Sequence, residues 1–296
     1  MVNLKITRLL GRGGFGFVSL AISQPKDAAG INLASLVAVK SADICRLRFL
    51  QREGKLLQRF SCCRHILRCY GSFISCKDGV LLYNLWLEYA SGGSLADHIR
   101  RSQGGLAEYE QRWYTKCLLK GLSHIHMQGY AHCDIKPQNI LIVGGSSRNS
   151  GFRTRRRMVE GEVLKIADFG HTKKTGKKLN DKGNGGGWRG TPLYAAPECV
   201  LYQEYEPWSD IWALGCTVLE MITGKPAWEC DVGTEACALL YRIGFTTQVP
   251  EIPSWVSEEA RDFLRRCLVR DPRSRWTVDM LLAHPFVSSK IMIPSK

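Results

Sequence analysis

The sequence predicts an α+β protein in which a small β-rich lobe is followed by a larger lobe of helices. Residues 1–86 contain short apolar runs that are typical of strands, interrupted by a single helical pattern. A long amphipathic pattern follows over 109–127, and residues 210–221 are apolar almost all round. A helix that is apolar on every side lies buried, so we expect the second lobe to be built around 210–221.

The helical pattern of the first lobe is short. Leu47, Leu50 and Leu57 recur at helical spacing, with Glu53 on the same turns. Gly54 lies in the middle, where glycine weakens a helix by about 1 kcal/mol relative to alanine. The sequence therefore predicts one helix in this lobe, carrying a carboxylate.

The second lobe contains two further helical patterns and two loops. The stripe over 109–127 ends before a glycine, which is typical of a helix C-terminus, and a shorter pattern spans 260–268. Segments 144–162 and 171–190 are rich in glycine and basic residues, so they are predicted to be loops. The stripe consists of Trp113, Cys117, Leu118, Leu122 and Ile125.

Composition limits the possible partners and compartment. Lys and Arg outnumber Asp and Glu by 41 to 27, and the net charge of +14 favours nucleotides, nucleic acid or acidic protein segments. The twelve cysteines are scattered without metal-binding spacing, which favours reduced thiols inside the cell. No apolar run approaches the roughly 18 residues of a membrane span, and the start has no signal-peptide pattern. We therefore expect the cytoplasm, with the nucleus as a second location, and no membrane span.

A glycine-rich segment between two strand-like runs is the first motif with a chemical meaning. Residues 11–18 read Gly-Arg-Gly-Gly-Phe-Gly-Phe-Val. Between strands, such a segment indicates a lid whose backbone amides approach the phosphates of ATP, whereas before a helix it would indicate a dinucleotide fold. A plain glycine-rich hairpin turn is the structural alternative.

A lysine at a strand end and a glutamate on the following helix form the second motif. Lys40 closes the run Val-Ala-Val, and Glu53 follows thirteen residues later. As an ion pair, they could orient the ammonium toward the α- and β-phosphates of ATP. Taken singly, each would be expected to be a solvated surface charge.

The loop that begins at His132 carries the strongest chemical pattern. Asp134 is placed to accept the proton of an attacking hydroxyl, and Lys136 to steady the γ-phosphate. Asn139 and Asp168, the latter in Asp-Phe-Gly, are the expected magnesium ligands. His132 itself is expected to be a packed core residue rather than a base.

Two later residues are expected to hold this region together. Glu198, in Ala-Pro-Glu, has Arg275 as its candidate ion-pair partner. Asp210 would tie the catalytic loop to the buried helix.

In this order, the motifs resemble those of eukaryotic protein kinases from Leu10 to about Val287. Lys136 in the loop after His132 and Thr191 in Gly-Thr-Pro resemble the residues of serine/threonine kinases rather than those of tyrosine kinases. More narrowly, the chain is similar to plant mitogen-activated protein kinase kinase kinases of the MEKK-like group. The segments that carry this similarity are 83–95, 132–134, 275–277 and 284–286.

The resemblance implies a bilobal protein kinase fold with a small N-lobe and a larger helical C-lobe. The N-lobe would span 1–87, the hinge 88–90 and the C-lobe 91–289, with a basic insert at 144–162 and a short tail at 290–296. The resemblance also implies ATP and Mg²⁺ as cofactors, a MAP kinase kinase as the protein substrate, and no nucleic-acid partner.

The same resemblance assigns a nucleotide site. Leu87 would be the gatekeeper, the backbones of Glu88 and Ala90 would bind adenine, and three apolar side chains would sandwich its ring: Val18, Ala38 and Leu141. The full set of nucleotide-binding residues is Leu10, Gly11, Gly13, Gly16, Val18, Ala38, Lys40, Glu88, Ala90 and Leu141.

Two departures from the family concern regulation. Cys133 stands where most such loops carry arginine, and a thiol cannot pair with a phosphate on the activation loop. This predicts substantial basal activity without loop phosphorylation, the alternative being that phosphate on Thr172 or Thr175 pairs with loop lysines. The arginines of the insert 144–162 would either dock an acidic partner segment or belong to a solvated loop.

Two other function classes compete with an active kinase. A pseudokinase scaffold would be favoured by loss of a catalytic residue, but Lys40, Asp134, Asn139 and Asp168 are all present. A nucleic-acid binder is suggested by the charge. However, the basic residues are concentrated in glycine-rich loops without interleaved aromatic residues to stack on bases.

Overall fold

The structure, a computed structural model, falls into two compact units, Met1–Ser91 and Gly92–Lys296. A sheet with one long helix forms the first unit, and helices dominate the second. This arrangement confirms the predicted α+β class. The structure describes residues 3–14, 16–24, 35–144, 162–176, 187–228 and 236–289.

The first unit is a five-stranded antiparallel sheet in the order β1-β2-β3-β5-β4. A 3₁₀ turn, Ile44–Arg46, leads into helix α1, Leu47–Arg59. The strands are β1 Asn3–Gly13, β2 Gly16–Gln24, β3 Ser35–Asp43, β4 Cys69–Lys77 and β5 Val80–Glu88.

Close packing of α1 on the sheet explains the glycine in its centre. A Cβ on Gly54 would come within 2.8 Å of the Leu85 side chain on β5. Leu50 and Leu57 are buried on the same helix. The glycine therefore weakens the isolated helix but lets it approach the sheet closely, which fixes the position of the helix.

The second unit combines short strands with eight helices in its described residues. The strands are β6 Gly93–Ser94, β7 Tyr130–Ala131, β8 Ile140–Gly144, β9 Glu162–Ile166 and β10 Lys173–Lys174. The helices are α2 Leu95–Arg101, α3 Glu108–Met127, α4 Pro197–Tyr202, α5 Pro207–Thr223, α6 Ala236–Phe245, α7 Glu258–Cys267, α8 Val278–Leu282 and α9 Pro285–Ser288. Three 3₁₀ turns, Pro137–Asn139, Phe169–His171 and Pro192–Tyr194, connect them.

Helix α5 lies at the centre of the second unit, as its composition predicts. Fourteen of its seventeen residues are buried, and it packs against α3 and α7. The predicted helices over 109–127 and 260–268 are present as α3 and α7. Within the described ranges, no helix is long and apolar enough to cross a membrane.

The two predicted loops of this unit differ in outcome. The insert 144–162 begins and ends in a hairpin, because β8 and β9 pair antiparallel up to Gly144 and Glu162, and its residues 145–161 lie outside the described residues. For segment 171–190 the prediction was wrong at the start. There Lys173 and Lys174 form β10, which pairs with β7. Residues 177–186 of that segment, and the tail 290–296, also lie outside the description.

Candidate active site

In the first unit, β3 and α1 bring Lys40 and Glu53 into contact. The Lys40 ammonium lies 2.7 Å from Glu53 Oε2 and 2.8 Å from Oε1. Their side chains are 12% and 3% exposed. Because removing one partner of a buried pair leaves an uncompensated charge, such a change costs about 3–5 kcal/mol. The pair thus holds the ammonium in a defined position on the sheet.

The predicted apolar contacts for a nucleotide lie on the same face of the sheet as this ammonium. Val18 is the cross-strand partner of Lys40, and Leu87 is the partner of Ala38. Cross-strand partners, and residues two apart on one strand, point to the same face. Ala38 and Leu87 are buried there. The structure therefore groups four predicted site residues of this unit on one face.

The glycine-rich segment forms the end of the β1–β2 hairpin, which pairs up to Gly13 and Gly16. A Cβ at Gly11 or Gly13 would meet no atom of the described residues within 4 Å. Packing among those residues therefore does not require these two glycines. A strand glycine can mark a bulge, as at the register shift between Leu9 and Gly11, or a place where a ligand approaches the backbone closely. Gly16 differs, because a Cβ there would lie 2.1 Å from the Ser41 carbonyl oxygen.

The remaining predicted nucleotide contacts are placed as follows. Glu88, at the end of β5, donates its backbone N–H to the Arg68 carbonyl at 2.9 Å, so this N–H is already used within the protein. Ala90 is half-buried, and Leu10 on β1 is exposed. Leu141 lies on β8 of the second unit, opposite Ser94 and Lys165.

In the second unit, the Asp134 carboxylate is fixed by three side chains. Asn139 Nδ2 donates to Asp134 Oδ2 at 2.8 Å and to its carbonyl oxygen at 2.9 Å. Lys136 Nζ lies 3.0 Å from Oδ2. Thr191 Oγ1 donates to Oδ1 at 2.8 Å and accepts from Lys136 at 2.6 Å. The bridging role of Thr191 was missed in the sequence, although the Gly-Thr-Pro run marks its position.

Asp210 anchors the catalytic loop from α5, as expected. Its two carboxylate oxygens accept the backbone N–H groups of His132 at 2.8 Å and Cys133 at 2.9 Å. His126 Nε2 lies 2.9 Å from the same carboxylate. A carboxylate buried in the core of the unit therefore sets the backbone of the loop one residue before Asp134.

His132 is a fully buried core residue, also as expected. Its Nδ1 accepts the Asp134 backbone N–H at 3.3 Å, and its Nε2 donates to the Ala167 carbonyl at 3.2 Å. Burial lowers the pKa of His132, so the neutral ring serves as donor on one side and acceptor on the other. The ring thus links Asp134 to the residue that precedes Asp168.

Asn139 and Asp168 are brought close by a backbone bond, from Ala167 N–H to the Asn139 carbonyl at 2.9 Å. Asp168 has a left-handed backbone, with φ 61°. Their amide and carboxylate oxygens are ligands of the kind that Mg²⁺ prefers. The described residues contain no group of three or more His, Cys, Asp or Glu that could hold a metal. Two oxygen donors of this kind fit a magnesium ion, because Mg²⁺ usually takes its other ligands from substrate phosphates and water.

Cys133 also has a left-handed backbone, with φ 68°, and its thiol donates to the Ala131 carbonyl at 3.3 Å. Burial raises the pKa of this thiol. It lines a cavity of ≈ 20 Å³ together with Arg189 and Tyr205. Arg189 donates from its guanidinium to the His171 carbonyl at 3.1 Å and from its backbone to the Tyr205 hydroxyl at 3.0 Å. The guanidinium of Arg189 thus lies near this thiol, and it belongs to the activation segment, the stretch between Asp168 and Glu198.

The alternative route through phosphorylated Thr172 is not compatible with this conformation. Thr172 is fully buried. Lys173, one of the lysines expected to receive a phosphate, is also buried and lies 3.3 Å from Glu206. Thr175 is half-buried, and its backbone N–H donates to the Gly129 carbonyl at 2.9 Å.

The expected ion pair between Glu198 and Arg275 is present and buried. The two guanidinium nitrogens lie 2.8 and 3.2 Å from the two carboxylate oxygens. Arg275 also donates to the Val269 carbonyl, and Ser209 donates to Glu198. The pair joins the end of the activation segment to the C-terminal part of the second unit.

Comparison with known proteins gives the same assignment over nearly the whole chain. The protein kinase domain family matches residues 4–287. Mitogen-activated protein kinase kinase kinase 20 of Arabidopsis thaliana is 42% identical over 276 residues, which cover 93% of this chain and 76% of that protein. Mitogen-activated protein kinase kinase kinase 17 of the same plant is 38% identical, over 96% and 69%. The chain therefore belongs to the protein kinase family of ATP-dependent phosphotransferases, and its relatives place it among the mitogen-activated protein kinase kinase kinases.

Proposed function

We propose that this protein transfers the γ-phosphate of ATP to a serine or threonine hydroxyl of a MAP kinase kinase. The observation that carries the proposal is the Asp134 carboxylate, which Asn139, Lys136 and Thr191 hold in one orientation. A carboxylate fixed in this way is suited to orient a hydroxyl and accept its proton. Positioning of this kind is most of what phosphoryl transfer requires of a protein.

Charge stabilisation comes from two cationic side chains. Lys40, held by Glu53, is suited to bind the α- and β-phosphates. Lys136 lies beside Asp134 and is suited to bind the phosphoryl group that moves. Asn139 and Asp168 would hold Mg²⁺, which when bound neutralises phosphate charge and orients the triphosphate.

The nature of the substrate is supported by Thr191 and by the relatives. The relatives carry the name mitogen-activated protein kinase kinase kinase, which describes proteins that act on MAP kinase kinases. Because Thr191 joins the activation segment to Asp134 and Lys136, the site is complete only when this segment is in place. A protein substrate would be recognised against the same segment.

The test is a phosphotransfer assay with a plant MAP kinase kinase whose own catalytic aspartate has been replaced. We expect incorporation of labelled phosphate on serine or threonine that requires Mg²⁺ and is lost with chelator. Asp134→Asn is the matched control for trace contaminating kinases. Absence of transfer to this protein and to generic substrates, with nucleotide binding intact, would instead support a scaffold.

For location we propose the cytoplasm, with the nucleus as a second site. All eleven cysteines in the described ranges are free thiols, which fits a reducing compartment. Imaging of a fluorescent fusion in plant cells tests this, and secretion of the fusion would contradict it.

A further inference from the structure

Helix α1 carries a row of cations along one side. Four basic residues recur at intervals of four, three and four positions, a spacing that places them on one side of a helix. The opposite side, with Leu50, Gly54 and Leu57, is buried against the sheet. Three of the four basic residues are exposed and Arg52 is half-buried. We call these four residues the α1 stripe: Arg48, Arg52, Lys55 and Arg59.

The charge of the stripe is not balanced within its own helix. The only acidic residue of α1 is Glu53, which is 3% exposed and bound to Lys40. Neighbouring cations of the stripe lie three or four residues apart, a spacing at which like charges weaken a helix. Arg48 also lies in the first turn, where the helix dipole disfavours a cation and where α1 has no acidic residue. An anionic ligand along this side would therefore relieve repulsion within α1.

The length and period of the stripe fit a helical ligand. From Arg48 to Arg59 it spans about 16 Å, because a helix rises by roughly 1.5 Å per residue. Its cations recur about once per helical turn of roughly 5.4 Å, and carboxylates on one side of a second helix recur at the same interval. Residues on one side of an extended chain lie about 6.8 Å apart and would lose register along the stripe.

The stripe is one residue wide, which argues against two other classes of anion. Gln51 and Gln58 lie on one side of it and Phe49, which is 53% exposed, on the other. Single-stranded nucleic acid stacks its bases on successive aromatic side chains, and only one adjoins this row. An amphipathic helix binds a membrane through an exposed apolar side, whereas the apolar side of α1 is buried against the sheet.

The unit that contains α1 is the more cationic part of the chain for its length. Residues 1–91 contain thirteen Lys and Arg against five Asp and Glu, which is more than half of the excess of +14. A surface with one predominant sign of charge steers partners of opposite charge during association. The guanidinium groups of the stripe can then pair with carboxylates in bidentate geometry.

We propose that the α1 stripe binds an acidic helical segment of a partner protein. In this segment, glutamate or aspartate residues lie one turn apart on one side, and an apolar side chain packs on Phe49. The stripe is presented by a helix that is fixed to the sheet, and such preorganisation lowers the entropic cost of binding. The inference goes beyond the proposed function and does not depend on it.

The test measures binding of a designed peptide to the full chain. A labelled helical peptide of about sixteen residues carries glutamate at four positions with the spacing of the stripe. Fluorescence anisotropy at low salt gives its Kd. We expect Arg48→Gln with Lys55→Gln to raise Kd at least tenfold, and added salt to weaken wild-type binding. Arg8→Gln with Lys77→Gln removes the same charge from exposed residues of the same unit, and its Kd should stay within twofold of wild type.

A charge reversal separates lost binding from a folding defect. Arg48→Glu with Lys55→Glu should lose the glutamate peptide. The same variant should bind a peptide with lysine at the four positions at least tenfold more tightly than the wild type does. A misfolded chain would not exchange one preference for the other.

Four results would overturn the inference. The first is no binding of the glutamate peptide to the wild type at low salt, and the second is an equal loss in the stripe variant and its control. In the third, single-stranded DNA or phosphatidylserine vesicles bind the wild type more tightly than the peptide and lose binding in the stripe variant. In the fourth, light scattering finds a wild-type dimer that the stripe variant abolishes, which would assign the stripe to a second copy of the chain.

Discussion

The glycine-rich hairpin of the first unit and the catalytic loop of the second unit use glycine in opposite ways. At Gly11 and Gly13 an added Cβ would meet no atom of the described part of the chain within 4 Å. At Gly190, which faces the catalytic loop, φ is +81° and a Cβ would lie 2.3 Å from the Cys133 carbonyl oxygen. Gly190 is therefore required by the fold, whereas packing among the described residues does not require glycine at 11 or 13. The motif letters alone do not separate these cases.

The largest effect is expected for a variant of the second unit that loses phosphoryl transfer but still binds nucleotide. Asp134→Asn should lower the transfer rate by about 10²- to 10⁴-fold, because a positioned base is lost. The thermal shift produced by ATP should stay near that of the wild type. Lys40→Met, in the first unit, should also abolish transfer, through misplaced phosphates. An Asp134→Asn enzyme with near-normal turnover would remove the role that we assign to this carboxylate.

Alanine substitution at both kinds of glycine should affect stability differently. Gly190→Ala should lower the free energy of unfolding by about 1–3 kcal/mol for backbone strain alone, with more from the contact to Cys133. Gly13→Ala should leave stability unchanged or raise it by about 0.4–1 kcal/mol, because the unfolded chain loses freedom. Its effect should be a raised KM for ATP. Urea denaturation and ATP titration on both variants give the answer, and equal destabilisation would erase the distinction.

A smaller effect on the transfer rate is expected from removing Arg189, which holds the activation segment near Cys133. Arg189→Ala removes the guanidinium that donates to His171, so the rate should fall about tenfold, or roughly 1.4 kcal/mol in barrier. Lys174→Ala, on an exposed residue of the same segment, is the control and should keep the wild-type rate.

Phosphatase treatment of the wild-type enzyme completes this test. We expect most of the activity to remain, because Arg189 fastens the segment without a phosphate. A loss of more than about tenfold after phosphatase, matched by Thr175→Ala, would show that phosphorylation controls the segment.

The smallest expected effect is a pH dependence set by His132. Burial lowers the pKa of His132 from its usual 6.5. Near pH 6.5 this histidine therefore takes up a proton in the unfolded chain but not in the folded chain. Stability is therefore lost as pH falls below 6.5, by at most about 1.4 kcal/mol for each pH unit. His132→Gln should lack this component. Unfolding free energies that fall in parallel for both proteins over this range would contradict the assignment.

The spacing of apolar residues along the sequence predicted the main helices of the second unit. Helix α3 and the buried α5 follow from the spacing and extent of their apolar residues. The order of the catalytic motifs likewise placed Asp134 and Asp168 in the same unit. These features can be predicted because each is encoded within a short stretch of chain.

Features that depend on partners distant in sequence could not be predicted in the same way. Strand β10 is two lysines long and forms because β7, some forty residues earlier, offers its backbone. Lys173 was one of the loop lysines expected to pair with a phosphate, but it is buried, and its ammonium lies 3.3 Å from Glu206 of a later segment. The hydroxyl of Thr191 acts through Asp134 and Lys136, more than fifty residues away.

The hairpin that bears the insert has a consequence for how this kinase can diversify. Its two ends, Gly144 and Glu162, are paired neighbours, and the Tyr114 hydroxyl of α3 donates to Glu162 at 3.0 Å. For a connection between two fixed neighbouring points, each doubling of length costs only about 0.6 kcal/mol in closure entropy. Lineages can therefore lengthen or replace this stretch at little cost to folding. For the same reason, an engineer could graft a recognition peptide or a reporter domain there and keep the catalytic loop intact.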